Sequence, residues 1–274
     1  MTIPNQDNTL LTIEYFEAMA KTYKNKLNIR STVIDMISVF VPHCKAAGTS
    51  QEIIAPYLQA QIASGAQGAC FLHREDIQLD DLKGFVGMPV LDVVPKASHC
   101  VKIALIDAIY GEINKIEKIH PVDTFEFSGT YSEKSLDRAR KIIELTEIRH
   151  SDKVAIVGVV HDIVKEVIEI GADVRLSDFG QMGTNILGIP ISNNSTALVE
   201  WADIAIVTGN ILKTRTVWNI LSTAQRYSTK LTLFSMTGSN IAPRYLRYGA
   251  NVVTVEEFPY YWFSGIKSQM KIYK

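Results

Sequence analysis

The sequence predicts an α/β protein in which a Rossmann-like domain with a parallel sheet follows a smaller α+β domain. From residue 153 onward, near-continuous apolar strands alternate with helical patterns, which is typical of a parallel sheet covered by helices on both faces. Over about the first 115 residues, strands with helices gathered after them indicate an α+β domain. The 274 residues, 47% of them hydrophobic, suffice for two domains with buried cores. We therefore predict domains at residues 1–118 and 119–274.

The spacing of apolar residues predicts the elements of the smaller domain. Residues 97–113 carry apolar side chains along one face, which predicts a buried helix. The β-branched residues of 30–41, which end before Pro42, indicate strand structure. The remaining elements are predicted as helices at 8–27, 51–64 and 79–86 and strands at 69–73 and 90–94.

The larger domain has a more regular pattern. Residues 119–131 are interpreted as the connection between the domains, and a charged amphipathic helix follows at 132–149. Apolar strands and helices then alternate as far as residue 255. The predicted strands are 153–157, 173–176, 204–207, 230–234 and 251–255, and the predicted helices are 163–170, 196–201, 213–227 and 241–248. A helix at 256–266 and a strand at 270–273 complete the prediction.

Composition and charge exclude several classes of protein. The chain has 28 basic and 29 acidic residues and a net charge of −1, which argues against a nucleic acid or an anionic membrane as partner. No apolar run approaches the roughly 20 residues that span a bilayer, and the N-terminus lacks the basic and apolar regions of a signal peptide. Three cysteines fit reduced thiols. A cytoplasmic location is therefore expected.

The turn after the first strand of the larger domain is the first candidate site. Gly158 and His161 follow this strand, and Asp178 lies about 20 residues further on, where an acidic side chain binds a ribose in dinucleotide-binding domains. The fingerprint of such domains has three glycines, however, and this turn has one. The alternative is a sheet edge with a solvated Asp178. If the protein is an enzyme, His161 is the predicted general acid or base, because imidazole titrates near neutral pH.

Two further turns contain small and hydroxyl-bearing residues. Thr208, Gly209 and Asn210 follow the strand at 204–207 and precede a predicted helix, whose N-terminus would attract an anion. Alternatively, Thr214 only caps this helix. The turn after the next strand has similar chemistry and contains Thr237, Gly238 and Ser239. Because neighbouring parallel strands end at the same edge, both turns are predicted to line one ligand-binding crevice.

Each cysteine lies near a histidine in the smaller domain. Thiolate and imidazole groups are preferred ligands of transition metals, so these residues are candidate metal ligands. The alternative is that the cysteines are buried as small apolar residues. The six candidate ligands are His43, Cys44, Cys70, His73, His99 and Cys100.

Other motifs give less information about the reaction. The sequence contains no G-x-S-x-G, H-E-x-x-H or P-loop lysine motif, so it does not identify a nucleophile. The aromatic residues of 258–263 are interpreted as an exposed patch, whose simplest use is a packing or subunit surface. A homodimer is therefore expected.

Three segments, 202–221, 231–253 and 262–274, resemble the putative heavy-metal chelation family, a domain of unknown function. The match at residues 89–110 is to the family's leucine-proline strand and the helix after it, and 153–274 resembles its Rossmann-like half. The resemblance implies that a domain similar to the N-terminal domain of enolase precedes the Rossmann-like domain. It also implies an association with metals.

Together these observations predict a small-ligand-binding protein that takes part in the handling of a metal or a metallophore. The ligand, a small molecule or a metal chelate, is expected in the crevice between the domains; the sequence does not identify a cofactor, and a transition metal is one candidate. One alternative is an enzyme of specialised small-molecule biosynthesis that holds a nucleotide or adenosyl cofactor in its Rossmann-like domain. A regulatory or scaffold subunit is the other alternative.

Overall fold

The computed structural model describes residues 18, 21–23, 27–45, 52–73, 82, 84–258, 260–261 and 264–274, without the side chains of 43–44 and 52–54. The described residues form two compact units. The first unit contains the described part of Gln6–His120 together with Met236–Ile241, and the second contains Pro121–Ser235 and Ala242–Lys274. The sequence did not predict that residues 236–241 pack with the first unit. The assignment of two separate domains stays a prediction.

The described residues of the first unit form short antiparallel strands and one long helix. Among its described residues, β1, β4 and β5 form an antiparallel sheet in that order, and β2 pairs with β3. The strands are β1 Ile34–Phe40, β2 His43–Lys45, β3 Glu52–Ile54, β4 Tyr57–Ile62 and β5 Gln67–Phe71. The short helix α1 covers Val90–Val93, and α2, which packs on β4 and β5, covers His99–Ile116.

Gly68 allows α2 to approach β5 closely. A Cβ atom at this position would lie 2.2 Å from the Ala104 carbonyl oxygen and 2.4 Å from the Ala108 nitrogen, both backbone atoms of α2. Only glycine fits such an approach without moving the helix. The unit therefore has a helix–sheet core in which Ala104, Leu105 and Ala108 are completely buried.

The second unit has a nine-stranded sheet within its described residues, in the order β6-β14-β13-β12-β11-β7-β8-β10-β9. Strands β10, β8, β7, β11, β12 and β13 are parallel, and antiparallel strands lie at both edges. The strands are β6 Asp123–Ser128, β7 Lys153–Val157, β8 Asp173–Ser177, β9 Asn185–Ile186, β10 Ile189–Ser192, β11 Ile204–Thr208, β12 Lys230–Ser235, β13 Val252–Val255 and β14 Lys267–Tyr273. The helices are α3 Tyr131–Thr146, α4 His161–Ile170, α5 Ser195–Trp201 and α6 Val217–Tyr227.

The chain changes direction across this sheet between β7 and β11. From β7 it continues through β8 to β10 on one side, and it then returns to place β11, β12 and β13 on the other side. In open parallel sheets, the crevice at the carboxyl ends of two such strands is the usual place for a ligand. The predicted α/β fold class with a large, mostly parallel sheet is confirmed.

The structure corrects several predicted elements, and a 3-10 helix at Ala242–Tyr248 takes the place of the helix predicted at 241–248. Residues 51–64 form β3 and β4 rather than a helix, because Pro56 interrupts the segment and β4 gains partners on both sides. Residues 90–94 form α1 rather than a strand, and the predicted connection at 119–131 contains β6, which pairs with β14. The described residues of 256–266 contain no helix. The predicted helices at 8–27 and 79–86 lie largely outside the described residues.

Candidate functional site

The turn after β7 approaches the end of β11 very closely. Gly158 has φ +82°, and a Cβ atom at this position would lie 1.4 Å from Thr208 Cγ2. The Gly158 N–H also donates a hydrogen bond to the Ser177 carbonyl oxygen at the end of β8, at 2.8 Å. Glycine is therefore required here both for its backbone conformation and for the space that Thr208 occupies. The structure brings the two predicted residues Gly158 and Thr208 together.

The Asp178 carboxylate holds this turn in place. Its Oδ2 accepts a hydrogen bond from the Val159 N–H at 2.9 Å, and its Oδ1 accepts one from the Gly180 N–H at 2.8 Å. The Gln181 side-chain amide donates to the Val159 carbonyl oxygen at 3.3 Å. Asp178 thus lies at the predicted place, and both of its carboxylate oxygens bind backbone N–H groups of the site.

Helix α4 begins directly after this turn. Its N-cap residue is Val160, whose side chain has no group that can accept a hydrogen bond from the first turn. The first N–H groups of a helix have no acceptor within the helix and together attract negative charge. His161 is the first residue of α4, and its side chain is 54% exposed, with Nδ1 3.7 Å from Asp162 Oδ1. An anion at this helix end would therefore meet N–H donors and an accessible imidazole.

The end of β11 is closed by its own hydrogen bonds. Thr208 Oγ1 accepts a hydrogen bond from the Asn210 N–H at 3.0 Å, which begins the 3-10 turn Gly209–Ile211. Helix α6 begins only at Val217, so the predicted helix start near residue 213 is wrong. Thr214 does not cap this helix, because its hydroxyl donates to the Asn210 carbonyl oxygen at 3.3 Å. The anion-attracting helix end at this edge is that of α4.

Thr237, Gly238 and Ser239 do not form the open turn that the sequence predicted. Thr237 Oγ1 accepts a hydrogen bond from the Phe71 N–H at 3.0 Å, and the Gly238 N–H donates to the Ala69 carbonyl oxygen at 2.9 Å. Thr237 is 2% exposed and Ser239 is 6% exposed. Their segment thus lies along β5 in the core of the first unit, and a ligand role for these residues stays untested.

The residue that holds this segment was not among the predicted site residues. Asp107, on α2, is completely buried, and its Oδ1 accepts hydrogen bonds from the N–H groups of Asn240 at 2.7 Å and Ile241 at 3.0 Å. Its Oδ2 accepts one from the Ala69 N–H at 3.1 Å. The available signal was one acidic residue inside an otherwise apolar stretch, 103–109, because a buried carboxylate requires hydrogen-bond partners.

Within its described residues, the structure does not gather the predicted metal ligands into a centre. Cys70 is completely buried and Cys100 is 7% exposed, and the Cys70 thiol contacts the Phe71 carbonyl oxygen at 3.3 Å. Among the described residues, no group of three or more His, Cys, Asp or Glu side chains could hold a metal ion. The side chains of His43 and Cys44 lie outside the described residues. A metal role for these pairs, including His73 and His99, stays a prediction.

A buried charged cluster in the second unit was also missed. Lys134, Arg138 and Glu256 are each 4% exposed or less. Arg138 Nε donates to Glu256 Oε1, and the guanidinium lies 5.2 Å from the Phe234 ring and 5.4 Å from the Tyr261 ring. Burial raises the pKa of the Glu256 carboxyl, whereas the Arg138 charge acts in the opposite direction. The cluster joins α3 to the segment after β13.

The exposed aromatic patch predicted at residues 258–263 is wrong for two of its rings. Tyr260 is 1% exposed and Tyr261 is 4% exposed, so these two rings belong to the core. The Lys134 ammonium group donates to the carbonyl oxygens of Tyr261 and Gly265, both at 2.5 Å. Pro259, Trp262 and Phe263 lie outside the described residues. The homodimer stays a prediction.

A surface cavity of about 290 Å³ lies at the opposite, amino edge of the same sheet. Its lining carries both signs of charge, and Lys230 and Glu147 form a largely exposed ion pair at 3.7 Å. Asp203 there accepts a hydrogen bond from the Lys153 N–H at 2.9 Å. The N-terminus of α4 and the loops that follow the parallel strands lie at the carboxyl edge instead, so we place the candidate site there.

None of the helices in the described part of the chain is long and apolar enough to cross a membrane. This finding agrees with the absence of long apolar runs in the sequence.

Comparison with known proteins confirms the family resemblance. The family model DUF364, described as putative heavy-metal chelation, matches residues 141–255. The chain is similar to a DUF364 protein of unknown function from Desulfitobacterium hafniense DCB-2, with 12% identity, a TM-score of 0.60, and coverage of 93% of this chain and 100% of that one. It is also similar to a DUF364 protein of unknown function from Pyrococcus horikoshii, with 13% identity, a TM-score of 0.50, and coverage of 96% and 99%. These likenesses show a shared fold. No curated protein matches the chain.

Proposed function

We propose that this chain, whose residues 141–255 match the DUF364 family, binds a small anionic chelating acid, alone or as a metal chelate, at the carboxyl edge of its parallel sheet. One observation carries this proposal. The turn at Gly158, the end of β11 at Thr208 and the N-terminus of α4 meet where the strand order changes direction. Ligands of open α/β sheets bind at such points.

The charge at this point favours an anion. The N-terminus of a helix acts as roughly half a positive charge, and the first turn of α4 has no capping side chain at Val160 to use its N–H groups. The acid in the same turn, Asp162, accepts a hydrogen bond from the Ser135 hydroxyl at 2.5 Å. A carboxylate or phosphate group of the ligand would take the place of the missing cap.

The metal is proposed to arrive with the ligand. No cluster of three or more candidate ligand residues is found in the described parts of the chain, so a protein-only metal centre has no support there. A chelating acid supplies most donor atoms itself and leaves one or two positions for the protein. The exposed His161 imidazole is suited to such a position, because transition metals bind this group readily.

The experiment is a calorimetric titration with citrate, alone and as its zinc and iron complexes. We expect binding to the wild-type protein. In Gly158→Ala the affinity should fall about tenfold or more, which corresponds to about 1.4 kcal/mol. Gly171→Ala is the matched control, because Gly171 also has a positive φ, +84°, and a Cβ atom there would lie 2.7 Å from His150 Cδ2. Gly171 lies at the C-terminus of α4, away from the proposed site.

Two results would contradict this proposal. One is no heat of binding with citrate or either complex. The other is an equal loss of affinity in Gly158→Ala and Gly171→Ala, which would show that a general effect on the fold, and not a change at the site, lowers the affinity.

The second candidate is an enzyme that holds a nucleotide or adenosyl cofactor. The observation in its favour is the place of Asp178, immediately after β8 and bonded to the turn at Val159. Since both Asp178 oxygens bind backbone N–H groups, replacing this residue would disturb any ligand at the site. Direct titration with NAD, ATP and S-adenosylmethionine is therefore the sharper test. Binding of one of these, and not of citrate, would favour the enzyme and the proposed role of His161 as general acid or base.

A further inference from the structure

We propose that the surface cavity at the amino edge of the large sheet is a second binding site, and that its ligand is an organic dication, an aliphatic diamine. The cavity has a volume of about 290 Å³, and all of its lining residues belong to the second unit. This volume is close to the lower end of the range for small-molecule sites, roughly 300 Å³. The inference does not depend on the proposed function, which concerns the carboxyl edge.

The starts of three neighbouring strands, β7, β11 and β12, contribute charged side chains to the cavity. Asp152 directly precedes β7, Asp203 directly precedes β11, and Lys230 is the first residue of β12. Asp203 Oδ2 accepts a hydrogen bond from the Lys153 N–H at 2.9 Å, and Asp152 Oδ2 accepts one from the Arg149 N–H at 2.7 Å. Each carboxylate is thus fixed through one oxygen, and its other oxygen can accept a hydrogen bond from a ligand. Groups held in this way lose little entropy when a ligand binds.

Two helices end at the same cavity. Helix α3 ends at Thr146 and α6 at Tyr227, and their C-cap residues, Glu147 and Ser228, both line the cavity. The two cap residues have φ +56° and φ +59°, in a conformation that glycine usually supplies at helix ends. The C-terminus of a helix acts as roughly half a negative charge, because its last carbonyl groups have no donor within the helix. Both helix ends therefore favour a cation.

The charges around the cavity favour a cation with two charges. Three acidic side chains and two basic ones line it, which leaves a net charge of −1: Glu147, Asp152, Asp203, Arg149 and Lys230. With the two helix ends, the total is about two negative charges. A single metal ion does not fit, since within the described residues no three His, Cys, Asp or Glu side chains could hold one. Two ammonium groups on one flexible chain can instead reach acids that lie apart.

The test is an NMR titration of the Asp203 and Ser228 amides with butane-1,4-diamine, butylamine and succinate at neutral pH, where both amines are protonated. The diamine should bind about fivefold more tightly than butylamine, the gain from one further exposed charge pair, and succinate should shift neither amide. In Asp203→Asn, the affinity for the diamine should fall about fivefold. Asparagine keeps an oxygen that can accept from the Lys153 N–H, so this variant removes the charge and preserves the hydrogen bond.

Asp123→Asn is the matched control. Asp123 is an exposed acid at the start of a strand of the same sheet, and its Oδ1 accepts a hydrogen bond from the Thr124 N–H at 2.8 Å. Strands β14 and β13 separate β6 from β12, so this variant should keep the wild-type affinity. The inference is overturned if the diamine shifts neither amide, if it binds no more tightly than butylamine or succinate, or if both variants lose affinity equally. The proposed function is measured separately, with citrate and Gly158→Ala.

Discussion

The carboxylate of Asp107 accepts a hydrogen bond from the backbone N–H of Asn240, with 2.7 Å between Asp107 Oδ1 and the Asn240 nitrogen. This bond joins the middle of α2 to a segment that is remote in the sequence. Asn240 makes further bonds in the first unit, because its side-chain amide donates to the Gln67 carbonyl oxygen at 2.9 Å and its own carbonyl oxygen accepts from Asn114 Nδ2 at 2.7 Å. A buried acid thus stabilises the loop that the sequence presented as a ligand-binding turn.

Replacing Asp107 by Ala should therefore destabilise the first unit. The change leaves the N–H groups of Ala69, Asn240 and Ile241 without their acceptor in a buried place, and each unsatisfied group costs about 1–3 kcal/mol. We expect a loss of about 3 kcal/mol or more in the free energy of unfolding, measured with urea. Hydrogen exchange should accelerate at the amides of Asn240 and Ile241.

The exposed Asp92 of the same unit provides the control for this change. Asp92→Ala should alter the free energy of unfolding by less than about 0.5 kcal/mol, since surface substitutions away from special features have small effects. If Asp107→Ala were as mild as this control, the three hydrogen bonds would not be needed for stability.

Gly68→Ala should also destabilise the first unit, for a steric reason. The new Cβ atom would lie 2.2 Å from the Ala104 carbonyl oxygen, so α2 would have to move away from β5. Overpacking of this kind costs about 1–3 kcal/mol or more. Gly65→Ala separates this effect from backbone strain, because Gly65 has φ +83° but nothing within 4 Å of its Cβ position. If thermal unfolding showed a larger fall in the melting temperature for Gly65→Ala than for Gly68→Ala, the steric explanation would be contradicted.

Five of the six parallel strands of the second unit could be predicted from sequence, because their burial is visible in the residues themselves; β10, the sixth, and its short partner β9 were not predicted. A strand buried on both faces is apolar throughout, as in 204–207, and the structure places β11 at Ile204–Thr208. Strand β6 was missed because it lies at the sheet edge, where five of its six residues are at least partly exposed and no apolar run marks it. Its pairing with β14 depends on residues far away in the sequence.

The candidate site also combines residues that sequence reasoning found with a residue whose position it could not find. Gly158, Asp178 and Thr208 were each predicted as site residues that follow a strand, and the structure brings Gly158 close to Thr208 and bonds Asp178 to the same turn. The position of Thr237 could not be predicted from sequence. Its hydroxyl accepts a hydrogen bond from the Phe71 N–H, a backbone group that every residue except proline carries. The pattern of residues 236–241 is that of an open turn, and only distant hydrogen bonds make it part of the first unit.

The start of α3 predicts a specific pH dependence. The Thr130 backbone N–H and hydroxyl both donate to the Glu133 carboxylate at 2.8 Å and hold the pKa of that carboxyl below its usual value. Its contribution to stability is therefore present above pH 4.5 and is lost as the pH falls through the lowered pKa. Thr130→Ala should raise the pKa of Glu133, measured by NMR titration of its carboxyl carbon.

Ser132 provides the control for this titration, because it is an exposed residue of the same helix turn. Ser132→Ala should leave the titration of Glu133 unchanged. An unchanged pKa of Glu133 in Thr130→Ala would show that the hydroxyl does not bind the carboxylate in solution.

The last prediction concerns the buried pair of Arg138 and Glu256. Removing one partner of a buried ion pair leaves an uncompensated charge, which costs about 3–5 kcal/mol, so Arg138→Met and Glu256→Leu should each be strongly destabilising. The double variant should recover much of this loss, because it removes both charges and lets apolar residues pack between Phe234 and Tyr261. A double-mutant cycle from urea unfolding measures the coupling. The pair of Arg140 and Glu166, in which the Arg140 side chain is 58% exposed, is also anchored on α3 and should couple by less than about 1 kcal/mol. Equal couplings in the two cycles would contradict a special role for the buried pair.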